Sequence, residues 1–366
     1  MLDPETSLWE SIQCPGLTPA ARDVAQLVEQ LRKRWAVFSY KQDRSFLWVL
    51  FIGGTGTGKS TLFNALCEEA LSETGLERPK TSGPVAYVHQ HTLVEKDFPL
   101  QPMRIRRLAF EKSVSKSHAG VPGELLVLEH LREGLSHLAL VDMPDLDSLE
   151  IANREMVEDL YLLSDVIVFV TSQEKYADEV PFQFLARIHR QAKPCFLLLN
   201  KANGRSTAND ILETLHSQGV EVPHGMFWIL PYFASDPSVR LADDPMFRNF
   251  RHTFLQKLDR TRMALHFQEE RKRSSRELAQ QIQVLLDLLG REKDEAQKWL
   301  EHLDIFFRVV CQKLFEMQEK RFGEESREYL QREIRRLYNK YDLLGTPRRF
   351  ISQIILTPLS LFGFRT

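Results

Sequence analysis

Residues 53–61 combine glycines with a lysine and several hydroxyl side chains at a spacing that suits phosphate binding. The run reads G-G-T-G-T-G-K-S-T and contains the pattern G-x-x-x-x-G-K-[ST]. Successive glycines let backbone N–H groups face phosphate oxygens, and a following helix adds the positive end of its dipole. The candidate nucleotide-binding residues of this run are Gly53, Thr55, Gly56, Thr57, Gly58, Lys59, Ser60 and Thr61.

The residues on either side of this run predict the elements that must position it. Seven apolar residues, 46–52, precede it and predict a buried strand, while residues 62–66 begin a helix. Strand, loop and helix in this order are the context that a phosphate-binding loop requires. Lys59 would then reach the β- and γ-phosphates, and the Ser60 hydroxyl would bind Mg²⁺. The sequence therefore predicts a nucleotide-binding protein.

Apolar runs alternate with helical patterns from about residue 45 to 260, which predicts an α/β fold. The predicted strands are 46–52, Val85–His89, Leu138–Val141, Val166–Val170, Cys195–Leu199 and Phe227–Tyr232. The predicted helices are 60–72, 151–163, 178–192, 207–218 and 245–265. Such alternation is typical of a mostly parallel sheet with helices on both faces. The long interval 92–137 predicts an extra strand at Leu125–His130.

Amphipathic patterns flank this region on both sides and predict a helical bundle. Residues 18–39 carry one apolar stripe, and two or three long helices with similar stripes follow residue 260. Each stripe needs a partner, so we expect the 18–39 helix to pack with the later ones. The predicted organisation is an N-terminal helix joining the bundle (1–44), a P-loop domain (45–260), the helical bundle (261–345) and an apolar C-terminal segment (346–366).

The C-terminal segment allows two interpretations that the sequence does not separate. It is apolar, is broken by Pro358 and follows several basic residues, a pattern that suits a membrane interface. The alternative is a strand or helix docked on the bundle. The segment is too short to span a bilayer.

Composition excludes several other classes of protein. The formal net charge of -2 gives no overall attraction to nucleic acid or membrane, and no RNA-binding signature is visible. The four cysteines lie far apart and predict reduced thiols in a cytoplasmic protein. The N-terminus has no basic region before an apolar run, so a secretory signal is not expected.

Three further motifs follow the phosphate loop in a fixed order. R-P-K-T-S-G-P at 78–84 comes about 20 residues after Lys59, and L-A-L-V-D-M-P-D at 138–145 places Asp142 at the end of a strand. C-F-L-L-L-N-K-A-N at 195–203 ends in a near match to N-K-x-D. Together these motifs resemble those of the translation-factor-related GTPases. The long insertion before the aspartate motif and the helices on both sides make the chain similar to bacterial dynamin-like GTPases.

This resemblance implies how the phosphates and the metal would be held. Thr81 would be the switch I threonine, whose hydroxyl joins Ser60 on Mg²⁺, and Asp142 would hold the metal through water. Arg78 and Thr81 have the R-x-x-T spacing of heterotrimeric G-protein α subunits, in which the arginine acts on the charge that develops during phosphoryl transfer. The implied catalytic residues are therefore Lys59, Arg78, Thr81 and Asp142.

The resemblance also implies a guanine site and the cofactors GTP/GDP and Mg²⁺. Asn200 and Lys201 would pack against the base and steady the phosphate loop, and Ala234 and Ser235 would approach the base with backbone N–H groups. Asn203 stands where an aspartate normally binds guanine, and an amide offers one acceptor oxygen and no charge.

Three more positions depart from the pattern of the family. Asp145 replaces the glycine that faces the γ-phosphate, and Leu146 occupies the place of the water-orienting glutamine. Gly56 sits where potassium-dependent members carry asparagine, so that mode of activation is not expected. Catalysis must therefore be completed by another group.

The leading hypothesis is a Mg²⁺-dependent GTPase coupled to movement of a helical bundle. The dynamin resemblance adds a nucleotide-dependent homodimer and contact with a membrane surface, with peripheral association on its inner face. Two alternatives stay open. One is a regulatory switch or assembly factor that binds a protein or ribosomal partner, and the other is a nucleotide-binding module with weak catalysis.

Overall fold

The computed structural model describes residues 9, 12, 14–42, 44–74, 82–113, 117–146, 151–173, 178–202, 208–217, 219–223, 225–233, 237–321 and 324–340. The chain divides into two compact units. One comprises Ala36–Ser274, and the other comprises Met1–Trp35 together with Ser275–Thr366.

The unit of Ala36–Ser274 is built on an eight-stranded sheet. Its strands are β1 Leu47–Gly53, β2 Val85–His89, β3 Arg104–Leu108, β4 Glu124–His130, β5 Leu138–Asp142, β6 Val166–Ser172, β7 Cys195–Ala202 and β8 Phe227–Pro231. Their spatial order is β3-β4-β2-β5-β1-β6-β7-β8. Strands β5, β1, β6, β7 and β8 form one parallel block, and β3, β4 and β2 form another. The two blocks meet at one antiparallel seam between β2 and β5.

Helices cover both faces of this sheet, as predicted. In chain order the helices are α1 Ala21–Gln42, α2 Lys59–Cys67, α3 Phe110–Ser113, α4 Ile151–Leu163, α5 Glu179–Arg190, α6 Ala208–Ser217, α7 Pro237–Asp243, α8 Pro245–Lys257, α9 Arg260–Arg321 and α10 Glu324–Lys340. One apolar core contains residues of α4, α5 and α6, and the other contains residues of α2, α7 and α8. The predicted α/β fold class is confirmed.

Strand β1 is buried along its whole length, which explains its run of apolar residues. Leu47, Val49 and Phe51 belong to one core, whereas Trp48 and Leu50 belong to the other. Because helices cover both faces, a central parallel strand needs an apolar side chain at every position. Burial of each such side chain contributes roughly 1.5–3 kcal/mol, so this strand is a firm base for the loop that follows it.

Strand β3 was not predicted, and its sequence R-I-R-R-L shows why. It lies at the edge of the sheet, where one side of the strand is unpaired, and its side chains are only partly buried. Edge strands often carry charged residues that prevent pairing with other chains. Arg107 binds the carboxylates of Glu95 and Glu129, with a distance of 3.0 Å to the latter. The extra strand predicted at Leu125–His130 is β4.

Two predicted helices end earlier than expected. The helix expected at 60–72 ends at Cys67, because Glu68 adopts a left-handed conformation with φ 54°. The helix expected at 245–265 is two helices, since α8 ends at Lys257 and α9 begins at Arg260. Periodicity alone does not reveal such breaks.

The other compact unit contains the N-terminal part of α1, most of α9, and α10. Two helices follow residue 260, as predicted: α9, which has 62 residues, and α10, which has 17. The carboxylate of Glu292 accepts hydrogen bonds from the N–H groups of Leu17 (2.9 Å) and Thr18 (2.7 Å) and from the Thr18 hydroxyl. Arg34 on α1 binds Glu277 at 3.0 Å. Residues 346–366 lie outside the described residues.

No helix among the described residues is both long enough and apolar enough to cross a membrane.

A buried histidine at the end of β4 makes stability depend on pH. His130 is fully buried, its Nδ1 atom accepts a hydrogen bond from the Arg132 N–H (3.1 Å), and its ring lies 4.3 Å from that of Tyr87. Its Nε2 atom has no hydrogen-bond partner among the described residues. Burial, together with the nearby His89 and Arg132, lowers the pKa of His130 to about 3. The ring is therefore neutral in the folded chain.

We expect acid to destabilise this unit through His130. His130 binds a proton near pH 6.5 in the unfolded chain but only near pH 3 in the folded chain. The folded state is therefore not penalised by this histidine above pH 6.5, and the free energy of unfolding decreases as the pH falls below that value. The free energy of unfolding should drop by about 2 kcal/mol between pH 7 and pH 5 through this residue. His130→Asn keeps an acceptor and should flatten that dependence in urea denaturation. His91→Asn changes an exposed histidine and should not. Equal slopes in all three proteins would contradict this.

Candidate nucleotide-binding site

The glycine-rich loop leaves β1 at Gly53 and enters α2 at Lys59, as the sequence predicts. Gly56 and Gly58 have φ angles of 73° and 91°, which glycine adopts without strain. A Cβ atom on Gly58 would collide with the side-chain amide of Asn200, and one on Gly53 would collide with the Val170 carbonyl. The loop is thus packed too closely against its neighbours to carry side chains at these two positions.

Two polar side chains at the end of β7 hold the loop from behind. The Asn200 side-chain amide donates to the Thr57 carbonyl (2.9 Å), and the Lys201 ammonium donates to the Gly56 carbonyl (2.6 Å). Asn200 is itself buried. The structure therefore brings the N-K pair against the phosphate loop, in the arrangement that steadies its backbone.

Lys59 and Asp142 converge at the start of α2 and the end of β5. Lys59 is buried, and its ammonium group forms an ion pair with the carboxylate of Asp145. Asp142 is fully buried, and its Oδ2 atom accepts a hydrogen bond from the Ser72 hydroxyl (2.6 Å). Burial raises the pKa of the Asp142 carboxyl above its usual range, while the charge of Lys59 and hydrogen bonds from Ser60 and Ser72 partly offset that effect.

The residues present fit a magnesium ion with few protein ligands. The Oδ1 atom of Asp142 is buried and has no hydrogen-bond partner in the part of the chain that the structure describes. It suits a water molecule of a metal's coordination shell. No cluster of three or more acidic, histidine or cysteine residues that could hold a metal occurs among the described residues. Mg²⁺ usually keeps several waters and binds through one or two protein groups plus substrate phosphates, so a site of this kind suffices.

Ser72 and Asn64 belong to this site but were not identified from the sequence. The Oδ1 atom of Asn64 accepts hydrogen bonds from the N–H groups of Leu71 (3.1 Å) and Ser72 (2.9 Å), and its Nδ2 atom donates to the Ser72 carbonyl (2.8 Å). Asn64 thereby links α2 to the residue that binds Asp142. The available signal was a lone polar residue among the apolar residues 62–67.

Leu146 does not contribute a polar group to the site. Its side chain is buried in an apolar core that also includes Met156 and Val157. Its N–H donates to the Gly53 carbonyl (3.2 Å). This position therefore anchors the chain after β5 and cannot orient a water molecule.

The other predicted site residues lie outside the described residues. These are Arg78, Thr81, Asn203, Ala234 and Ser235. Their roles remain predictions.

The strand, the glycine loop, the helix behind it and the N-K pair beneath it define a P-loop domain of the GTPase type. Residues 49–202 match the model of the dynamin family. This stretch, which is less than half of the chain, is thus similar to the dynamin family. The predicted relationship to dynamin-like proteins is confirmed by this match, and the dynamin family is the class of GTPases that the sequence predicts. No curated protein sequence matches the chain significantly.

Solved structures with partial similarity include two of an oligomerised bacterial dynamin pair, described as sensing and tethering membranes. The first is 14% identical with a TM-score of 0.40, and the match covers 90% of this chain and 52% of that one. The second is 15% identical with a TM-score of 0.40, covering 97% and 68%. A variant of Era from Aquifex aeolicus bound to GDP and AlF4⁻ is 17% identical with a TM-score of 0.35, covering 59% and 57%. The chain spans about half the length of the first of these structures.

We expect Ser72→Ala to destabilise the fold, because it removes a hydrogen bond from the buried Asp142 carboxylate. The loss should be about 1–3 kcal/mol in the free energy of unfolding, measured by urea denaturation. Ser217→Ala is the matched control, since the Ser217 hydroxyl also makes one hydrogen bond, to the Thr214 carbonyl (2.7 Å), but is exposed. The control should lose less than about 0.5 kcal/mol. Equal losses in the two variants would argue against a special role for Ser72.

Proposed function

We propose that this chain binds GTP together with Mg²⁺ and hydrolyses it to GDP and phosphate. The observation that carries the proposal is the phosphate loop held by Asn200 and Lys201, with Lys59 and Asp142 converging beside it. The dynamin-family match of residues 49–202 supports the choice of guanine nucleotide and of hydrolysis.

Each residue of the site has a defined task in this proposal. The backbone N–H groups of the loop and the Lys59 ammonium bind the β- and γ-phosphates. The hydroxyl groups of Ser60 and Thr81 would hold the metal, and Asp142 would hold it through water. The metal ion would neutralise the charge that develops on the phosphate oxygens. Asn203, Ala234 and Ser235 would contact the base.

We further propose that residues 1–44 and 261–345 form a helical bundle that moves with the nucleotide state. The hydrogen bonds from Leu17 and Thr18 to Glu292 support the pairing of the N-terminal segment with α9. Basic residues beside the apolar segment 346–366 support peripheral contact with the inner face of a membrane. The alternatives are a regulatory switch with a protein or ribosomal partner, and a nucleotide-binding module with weak catalysis.

A residue other than Leu146 must supply the group that completes hydrolysis, because the Leu146 side chain is buried in the core. We propose two candidates. Arg78 could act from the same chain, since three residues of extended backbone and a long side chain reach from Thr81 to the γ-phosphate. A nucleotide-dependent homodimer could instead supply the group from its second copy.

Nucleotide binding is tested with Lys59→Ala. Removing the ammonium group should weaken the affinity for GTP by about 30- to 150-fold, because a charge-assisted contact to phosphate is worth about 2–3 kcal/mol. Fluorescence titration with a labelled nucleotide measures this, and phosphate release measures the turnover. Lys298→Ala changes an exposed lysine of α9 and should have no effect. A folded Lys59→Ala protein with unchanged affinity would refute the phosphate-loop assignment.

The source of the catalytic group is tested by turnover at different protein concentrations. If Arg78 acts within its own chain, the specific activity stays constant, and Arg78→Ala lowers kcat by about 10³ with little change in nucleotide affinity. If a second copy supplies the group, specific activity rises with concentration. Lys80→Ala is the matched variant, since it removes a neighbouring positive charge. A small change of kcat in Arg78→Ala would remove Arg78 from the mechanism.

A further inference from the structure

The carboxylate of Asp145 contacts the group that is best suited to bind a terminal phosphate. It forms an ion pair with the Lys59 ammonium, and both side chains are largely shielded from water, at 20% and 4% exposed. A phosphate oxygen approaching Lys59 must therefore replace this carboxylate or share the ammonium group with it.

Backbone hydrogen bonds on both sides hold Asp145 in this place. The Met143 N–H donates to the Phe51 carbonyl (3.2 Å), and the Leu146 N–H donates to the Gly53 carbonyl (3.2 Å). Both acceptors lie at the end of β1, where the phosphate loop begins. The buried side chains of Met143 and Leu146 add an apolar anchor on each side of Asp145. The backbone on each side of Asp145 is thus held at the end of β1, and its carboxylate can leave Lys59 only by rotation of the side chain.

We propose that Asp145 is a specificity-determining residue that lowers the affinity for the nucleoside triphosphate relative to the diphosphate. This proposal rests on the proposed nucleotide binding at Lys59. A diphosphate can be held by the N–H groups of the loop while Lys59 keeps part of its contact with Asp145. A triphosphate adds a γ-phosphate on the side of the site where β5 ends, and there it meets the negative charge of Asp145.

The chemistry makes this penalty selective. Carboxylate and phosphate oxygens compete for the same donors, and two like charges at a few ångströms repel each other more strongly when they are shielded from water. An amide in place of the carboxylate keeps the shape and one acceptor oxygen but removes the charge. The charge of Asp145, rather than its size, is therefore the property to be tested.

The experiment compares wild type with Asp145→Asn for binding of GDP and of a non-hydrolysable GTP analogue, both with Mg²⁺, by isothermal titration. We expect the affinity for the GTP analogue to rise at least tenfold and that for GDP to rise less, so that the ratio of the two affinities shifts towards the triphosphate. Asp145→Gly, which also removes the side chain, should shift the ratio in the same direction. Asp243→Asn is the matched control, because Asp243 forms an exposed ion pair with Arg248 at 2.6 Å.

The outcomes separate this proposal from the one on which it rests. If wild type binds both nucleotides but the affinity ratio is unchanged in folded Asp145→Asn and Asp145→Gly, Asp145 only neutralises Lys59 and the proposal is overturned. A shift of the ratio towards the diphosphate would overturn it as well. If wild type binds neither nucleotide, the proposed function fails and this proposal falls with it. Circular dichroism of each variant establishes that it is folded.

Discussion

The restraint on the phosphate loop by β7 is the interaction on which the rest of the site depends. Asn200 and Lys201 donate hydrogen bonds to the carbonyl groups of Thr57 and Gly56, so the loop is fixed through its backbone carbonyl groups. An unsupported glycine-rich loop would lose much more conformational entropy when a ligand orders it. Because Asn200 and Lys201 already order the loop in the folded chain, much of this entropy is lost during folding and not when the ligand binds. They can do so because β7 lies two strands from β1 in a sheet whose core is packed on both faces.

A second set of polar contacts joins the loop to the candidate metal position through the helix that follows it. Asn64 on α2 holds the backbone of Ser72, and the Ser72 hydroxyl binds Asp142 at the end of β5. All three residues are buried. Buried polar networks of this kind are costly when any member is unsatisfied, so they permit few alternative arrangements. The position of Asp142 is therefore set by α2 as well as by its own strand.

The sequence was most informative where one local pattern decides the structure. The apolar run of β1 and the glycines after it predicted a strand and a phosphate loop because both features are continuous in the chain. Ser72 and Asn64 were missed, since their roles arise from contacts between residues that periodicity does not relate. The sequence placed the charge of Asp145 near the phosphates but could not reveal its ion pair with Lys59, which requires the end of β5 and the start of α2 to be brought together. Strand β3 was missed because an edge strand tolerates the arginines that argue against a buried one.

The antiparallel seam between β2 and β5 has a mechanical consequence. Its register places Val85, the first residue of β2, opposite Asp142, the last residue of β5. The chain therefore enters the three-stranded block of β2, β4 and β3 at the same edge of the sheet at which the phosphates would bind. Gly83, just before this entry, is packed so tightly against Val121 that a side chain there would collide with its backbone. A displacement of Asp142 would thus act on the first residue of β2 directly, through the ladder that joins β5 and β2, without any helix as an intermediary.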